Sequence, residues 1–187
     1  EIWVAKGTYK PVYNASDALK NSICHPQSRD DAFVWPVDVK IFGGFAGGET
    51  DTSGRNYMLN ETILSGDIGV MNDSTDNNYH VNISAGNAGT GLIDGFTIAK
   101  GQADGTGSLT VNSLNISKSD GGALYCNASS PSIKNCRFIN NTATNAGAVY
   151  NTASSPDISN CTFQYNVAAL AGGAMRNVSS SATKVSN

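Results

Sequence analysis

The motif Gly122-Ala123-Leu124-Tyr125 returns 25 residues later as Gly147-Ala148-Val149-Tyr150, and this interval decides the fold. A third, looser copy follows as Gly172-Gly173-Ala174-Met175. The same offset relates further pairs: Ser130-Pro131 with Ser155-Pro156, Ile133 with Ile158, Asn135-Cys136 with Asn160-Cys161, Phe138 with Phe163, and Asn141 with Asn166. Agreement at this many positions indicates an internal structural repeat.

Each repeat unit combines short apolar stretches with turn-forming residues. Ala123-Leu124-Tyr125, Ser132-Ile133-Lys134 and Cys136-Arg137-Phe138 are separated by Asn and Ser-Pro, which indicates three short strands joined by turns. So small a unit cannot bury its apolar face alone. Stacking successive units at the usual strand spacing places Ile on Ile, Cys on Cys and Phe on Phe. The sequence therefore predicts an all-β fold, a parallel β-helix with coils of about 25 residues.

The bend between two strands of a coil is predicted from the asparagines. Asn135 and Asn160 fall there, where Asn tolerates the left-handed conformation and its amide can bond to the Asn one coil away. Gly95 takes the same place in an earlier coil, because Ile93–Ile98 matches Ile133–Phe138 position by position. A glycine at this position supports the alignment.

The repeat loosens towards the amino terminus. Val39–Phe45 and Thr62–Ile68 read as strands of earlier coils, whereas residues 11–38, 46–60 and 101–119 lack the repeat and are predicted to be loop excursions. Residues 16–20 are interpreted as a single helical turn, the one helical signal in the sequence. We expect one β-helix domain over 1–187, clearest at 121–187, and a fragment of a longer protein because the third repeat fades after Met175.

Composition excludes several classes of function. The net charge is −3 and only 14% of residues are charged, so the chain lacks the basic field that holds nucleic acid. Its apolar runs are far shorter than the roughly 18 residues that cross a bilayer. We therefore expect no nucleic-acid partner and no transmembrane segment.

Two sets of motifs resemble known families. The motifs Gly121–Leu124 with Phe138–Asn141, and Ala146–Val149 with Phe163–Asn166, are similar to the GGA(I/L/V) and FxxN repeats of chlamydial polymorphic outer membrane proteins. The amino-terminal stretches Ile2–Pro11, Ile41–Gly47 and Ile63–Ile68 look like the opening coils of large secreted right-handed β-helix repeat proteins of bacteria. These resemblances imply a right-handed β-helix, secretion or display at the bacterial cell surface, and adhesin-like binding of a glycan or a cell-surface protein.

An enzymatic reading remains as the alternative. Parallel β-helices include polysaccharide lyases and glycoside hydrolases, in which acidic side chains converge on one outer face. Here Asp94 aligns with Lys134 and Ser159, so no acidic column forms, and Arg137 and Lys134 read as a solvated face. The sequence favours a non-catalytic module, and the alternative is the non-catalytic or amino-terminal part of a carbohydrate-active enzyme. Unpaired strands at the ends of a stack also predict end-to-end self-association.

One loop carries a candidate metal site. The densest group of oxygen donors in the sequence consists of Asp67, Asn72, Asp73 and Asp76. Calcium binds six to eight oxygen ligands of this type. Their spacing does not match the EF-hand. The competing interpretation is a polar loop whose Asp and Asn side chains cap turns. No other cofactor is predicted.

The remaining reactive residue types favour structural roles. Four cysteines show no CxxC pair and no zinc spacing: Cys24, Cys126, Cys136 and Cys161. Cys136 and Cys161 would stack in adjacent coils, where parallel side-chain directions work against a disulfide, so we expect free thiols. His80 lies in a strand-like run and is expected to be packed or hydrogen-bonded, on the face opposite Tyr79 and Val81.

Overall fold

The structure is a computed structural model that describes residues 1–17 and 27–187. Strands make up 44% of the described residues, and the helical content of 3% consists of two 3-10 helices, Thr52–Gly54 and Ser74–Asp76. The all-β prediction is confirmed. The helical turn predicted over residues 16–20 falls largely outside the described residues, as do Cys24 and His25.

The described residues form short strands, most of them two to five residues long. In chain order these are β1 (Ile2–Ala5), β2 (Gly7–Tyr9), β3 (Phe33–Val34), β4 (Lys40–Phe45), β5 (Thr62–Ser65), β6 (Asn82–Ala85), β7 (Leu92–Asp94), β8 (Thr97–Ala99), β9 (Gln102–Ala103), β10 (Ser108–Val111), β11 (Leu114–Ser117), β12 (Leu124–Asn127), β13 (Ser132–Lys134), β14 (Arg137–Ile139), β15 (Thr142–Asn145), β16 (Val149–Thr152), β17 (Asp157–Ser159), β18 (Thr162–Gln164), β19 (Val167–Ala171), β20 (Met175–Val178) and β21 (Lys184–Ser186).

Four of the five sheets are parallel. Sheet I has the order β1-β4-β7-β13-β17-β21, sheet II β2-β5-β8-β14-β18, sheet III β9-β15-β19, and sheet IV β3-β6-β12-β16-β20. The fifth is the antiparallel hairpin β10–β11. From β12 onwards the chain visits sheets IV, I, II and III in that order and then repeats the cycle. Successive strands of one sheet therefore come from successive repeats of the sequence.

The register of the sheets follows the 25-residue interval. Ile133 pairs with Ile158 in sheet I, and Phe138 pairs with Phe163 in sheet II. The two phenylalanine rings stack with centroids 4.8 Å apart and planes 6° from parallel. Ile133, Ile158 and Phe138 are fully buried, so the matched apolar residues pack on one another in the core. This was the arrangement that the repeat predicted.

The bend between sheets I and II has the predicted conformation. Asn135 and Asn160 both have φ of 51°, and Gly95 has φ of 81°. The Asn160 amide donates to Asn135 Oδ1 at 3.4 Å, which links the two bends. Only Gly and short polar residues visit this left-handed region readily, so these residue types fix where the chain turns.

A second asparagine pair satisfies buried backbone groups at the next bend. Asn141 is fully buried, and its Nδ2 donates to Ile98 O at 3.0 Å and to Asn166 Oδ1 at 3.0 Å. Its Oδ1 accepts from Gly101 N at 3.0 Å, while Asn166 donates to Phe138 O. Buried amides are stable only when bonded in this way. The two FxxN motifs thus connect neighbouring strands.

Two of the predicted excursions contain strands of the sheets. Residues 11–38 include β3, which pairs with β6, and residues 101–119 include β9, which pairs with β15. Two-residue strands carry too little periodicity to be read from sequence, so this part of the prediction was wrong. The rest of 101–119 does leave the stack, as hairpin β10–β11 packed over Tyr125. The segment 46–60 holds only a 3-10 helix and is an excursion as expected.

In the described ranges, no helix has the length and apolar character that a membrane span requires.

Candidate functional site

The loop proposed to bind calcium is held by Lys100, the residue that follows β8. Lys100 Nζ lies 2.5 Å from Asp67 Oδ2 and 2.7 Å from Asn72 Oδ1. Burial alone would raise the pKa of Asp67, but hydrogen bonds from Lys100 and from the Asn72 N–H outweigh it and hold that pKa below its usual value. The Lys100 ammonium thus occupies the position from which a calcium ion would contact Asp67 and Asn72, two of the four proposed ligands.

The other two residues of that loop cap turns. Asp73 Oδ1 accepts from Thr75 N at 2.9 Å and from Thr75 Oγ1 at 2.7 Å, and Asp76 Oδ2 accepts from Val70 N at 2.7 Å. Within the described ranges, no group of three or more His, Cys, Asp or Glu side chains is arranged to hold a metal ion. The capping geometry matches the competing interpretation of the loop, and the calcium site stays a prediction.

A second candidate site is a polar surface at the bend between sheets I and II. This polar corner consists of Arg55, Tyr57, Asp94, Asn135 and Asn160. Arg55 and Asp94 form a nearly buried ion pair at 2.7 Å. The Asn135 amide donates to Asp94 Oδ1 at 2.8 Å, and the Tyr57 hydroxyl donates to Asn135 Oδ1 at 3.4 Å. The excursion 46–60 therefore folds back onto the asparagine bends.

Glycine makes this close approach of the excursion feasible. A Cβ on Gly44 would lie 2.6 Å from Tyr57 Cα, and Gly44 has φ of +94°. Arg55 also donates to Gly43 O at 3.0 Å, which fixes the guanidinium against the same strand. The pair Gly43-Gly44 was a signal in the sequence for a segment packed closely over β4. It did not reveal which residues of the excursion would be placed there.

Exposed charged side chains border the polar corner on sheet II. Arg137 Nη1 lies 3.0 Å from Glu61 Oε1, and the Thr97 hydroxyl donates to the same oxygen at 2.7 Å. Asp94 pairs with Lys134 in the ladder, as predicted from the repeat. Lys134 is exposed and makes no ion pair with any described residue. Sequence reasoning placed Lys134 and Arg137 on a solvated face correctly but missed Glu61, which lies 76 residues from Arg137.

His80 is a buried structural residue. It is 1% exposed, its Nδ1 lies 3.0 Å from Gly121 O, and its ring meets the Tyr125 ring edge-on. This agrees with the packed role expected for it. Val81 is fully buried as well, but in the apolar cluster that holds Leu124, whereas Tyr125 belongs to a second cluster. His80 and Val81 therefore pack against different neighbours, in agreement with the opposite faces predicted for them. The regular strand begins only at Asn82, directly after these two residues.

The cysteines of the described residues are free thiols, as expected: Cys126, Cys136 and Cys161. Burial raises the pKa of Cys126 well above its usual value. Cys126 therefore behaves as a small apolar residue.

Comparisons of the chain with protein-family models, with curated proteins and with solved structures found no match.

Lys100, which contacts the acidic loop from outside it, gives a direct test of the calcium hypothesis. We expect Lys100→Ala to tighten calcium binding at least tenfold relative to the parent protein, because the ammonium no longer competes for Asp67 and Asn72. Calorimetric titration with calcium chloride measures the change. Lys134→Ala, which removes a distant exposed lysine, is the matched control. Equal calcium affinity in the parent, Lys100→Ala and Lys134→Ala proteins would contradict calcium binding at this loop.

The burial of His80 leads us to expect that the folded protein loses stability in acid. Burial, the main cause, lowers the pKa of His80 from 6.5 to about 4. Between these values the unfolded chain takes up a proton that the folded chain does not, so the free energy of unfolding falls as the pH drops from 6.5 to 4. The loss amounts to about 3 kcal/mol at most.

Denaturant melts of His80→Phe across pH 4–7 measure this contribution. The variant should show a flatter dependence of the unfolding free energy on pH than the parent protein. An identical slope in His80→Phe and the parent would contradict this assignment.

Proposed function

We propose that the chain is a stretch of right-handed parallel β-helix with coils of about 25 residues. Three observations support this: the repeated visiting order of sheets IV, I, II and III, the in-register parallel pairing, and the stacking of Ile133 on Ile158 and Phe138 on Phe163. Connections between parallel strands of one sheet are right-handed in nearly all proteins, which favours that hand. The resemblance to bacterial β-helix repeat proteins points the same way.

The proposed role is that of an extracellular or cell-surface module, part stalk and part adhesin. A stack of parallel strands is long and stiff, because each coil is hydrogen-bonded to the next along its sheets. Side chains at a bend repeat along the axis, as the amides of Asn135 and Asn160 do. Such a surface suits an extended ligand whose own groups repeat, and a glycan chain has that property.

The observation that carries the proposed binding role is the composition of the polar corner. Tyr57 is 36% exposed and lies beside the amides of Asn135 and Asn160. An aromatic face packs on the apolar face of a sugar ring, while amide groups bond to its hydroxyls. The exposed Lys134 adds a cation at the edge of the site. Together these groups favour a glycan, preferentially one bearing carboxylate or sulfate.

The ion pairs and hydrogen bonds that engage the carboxylates favour ligand binding over catalysis. Asp94 is held by Arg55 and Asn135, and Glu61 by Arg137 and Thr97. A glycosidase needs one carboxyl group free to donate a proton and a second free to act as base or nucleophile. Both acids near the polar corner are instead engaged as structural acceptors. The proposal is therefore a binding module that does not cleave its ligand.

Retention on immobilised acidic polysaccharides tests the proposal. We expect weak retention on at least one of pectin, alginate and a glycosaminoglycan, with no release of unsaturated or reducing sugar whether or not calcium is present. Tyr57→Ala and Lys134→Ala should each weaken the retention about fivefold, a loss of about 1 kcal/mol for one stacking or charge contact.

Two exposed residues away from the polar corner serve as matched controls. Tyr165→Ala and Lys184→Ala should bind as the parent protein does. Equal losses in the control and corner variants would show a nonspecific interaction and contradict the assigned surface. Sugar release that disappears in Arg137→Ala would replace the binding role with that of a lyase.

A further inference from the structure

Cys136 and Cys161 bring two thiols together in adjacent repeats. They directly precede β14 and β18, which pair in register, and they follow β13 and β17, which also pair in register. The Cys136 N–H donates to Cys161 Sγ at 3.4 Å. Cys136 is 1% exposed, and Cys161 lies between the buried and exposed classes. The two sulfur atoms therefore face the same small space inside the bend.

The pairing geometry disfavours a disulfide bond. Neighbouring parallel strands lie about 4.8 Å apart, and in-register side chains point in the same direction. A disulfide needs Cβ atoms about 3.5–4.5 Å apart and a dihedral angle near 90°, which requires the two side chains to turn towards each other. Both sulfurs instead contact backbone oxygens of their own turns, Cys136 with Lys134 O at 3.1 Å and Cys161 with Ser159 O at 3.3 Å.

The same geometry suits an atom placed between the sulfurs. A linear sulfur–metal–sulfur unit with bonds of about 2.3 Å spans about 4.6 Å, close to the strand spacing. Thiolate and thiol ligands select soft ions over calcium, magnesium or manganese. We propose that Cys136 and Cys161 form a two-coordinate site for a soft monovalent metal ion, Cu(I) or Ag(I).

The charge balance of the site agrees with a monovalent ion. Binding of the ion releases one thiol proton to solvent, so that one sulfur binds as the thiolate and the other binds through a lone pair as the thiol. The complex of one thiolate, one thiol and one monovalent cation is neutral, the state that a buried site favours.

Cys126 provides the matched control. It is a free, fully buried thiol in β12, but its partners in the neighbouring strands are Ser84 and Asn151, so it has no second sulfur. A site that needs two sulfurs should therefore be lost from Cys136 or Cys161 variants and kept in a Cys126 variant. The proposal is independent of the glycan-binding role.

Calorimetric titration of the reduced protein with Ag(I) tests the proposal. All proteins carry Cys24→Ser, which removes the thiol outside the described residues. We expect one Ag(I) per chain in this background and in the added Cys126→Ala variant, and an affinity at least 100-fold weaker after Cys136→Ala or Cys161→Ala. Alanine keeps the site apolar, and circular dichroism melts confirm that each variant is folded.

Two results would overturn the site. One is Ag(I) binding that survives both Cys136→Ala and Cys161→Ala in folded protein, or that is absent from the background protein. The other is formation of a Cys136–Cys161 disulfide on exposure to air, read as a mass loss of two hydrogens and a cross-linked peptide. If Cys161→Ala does not fold, loss of binding in folded Cys136→Ala decides the question alone.

Discussion

In-register parallel pairing at an interval of 25 residues is the constraint on which the rest of the structure depends. Each strand is too short to be stable by itself, and each repeat has too little apolar surface to form a core. Pairing in register solves both problems together, since it forms hydrogen bonds between neighbouring backbones and stacks matching side chains on one another. A shift of one residue would turn Ile133 and Phe138 outward and bring charged neighbours such as Lys134 and Arg137 inward.

The same constraint produces the features that we assign to function. Because bends recur at the same place in each repeat, their residues form lines along the stack, and the amides of Asn135 and Asn160 bond to each other. Excursions leave from the bends, so the segment carrying Arg55 and Tyr57 folds back onto such a line and builds the polar corner. Cys136 and Cys161 meet for the same reason. The proposed binding surface and the proposed dithiol site thus both depend on the register of the strands.

The sequence predicted those parts that repeat. The strands around Ile133 and Phe138, the left-handed bends at Asn135 and Gly95, and the free thiols were all predicted from spacing and residue type. Prediction was weakest where contacts join segments far apart in the chain. The pairing of Glu61 with Arg137 and of Asp67 with Lys100 has no signature in the sequence, because an excursion can fold to either side of the stack. The two-residue strands β3 and β9 were missed because so short a segment shows no periodicity.

The most direct test of this account is an experimental structure, read as the Cα–Cα separations of residues 25 positions apart. The account predicts that Ile133 and Ile158, and likewise Phe138 and Phe163, lie about one strand spacing apart, near 4.8 Å. Their side chains should point into a common core. A separation above about 7 Å for either pair would contradict the stacking of repeats, since no hydrogen-bonded strand pair is that wide.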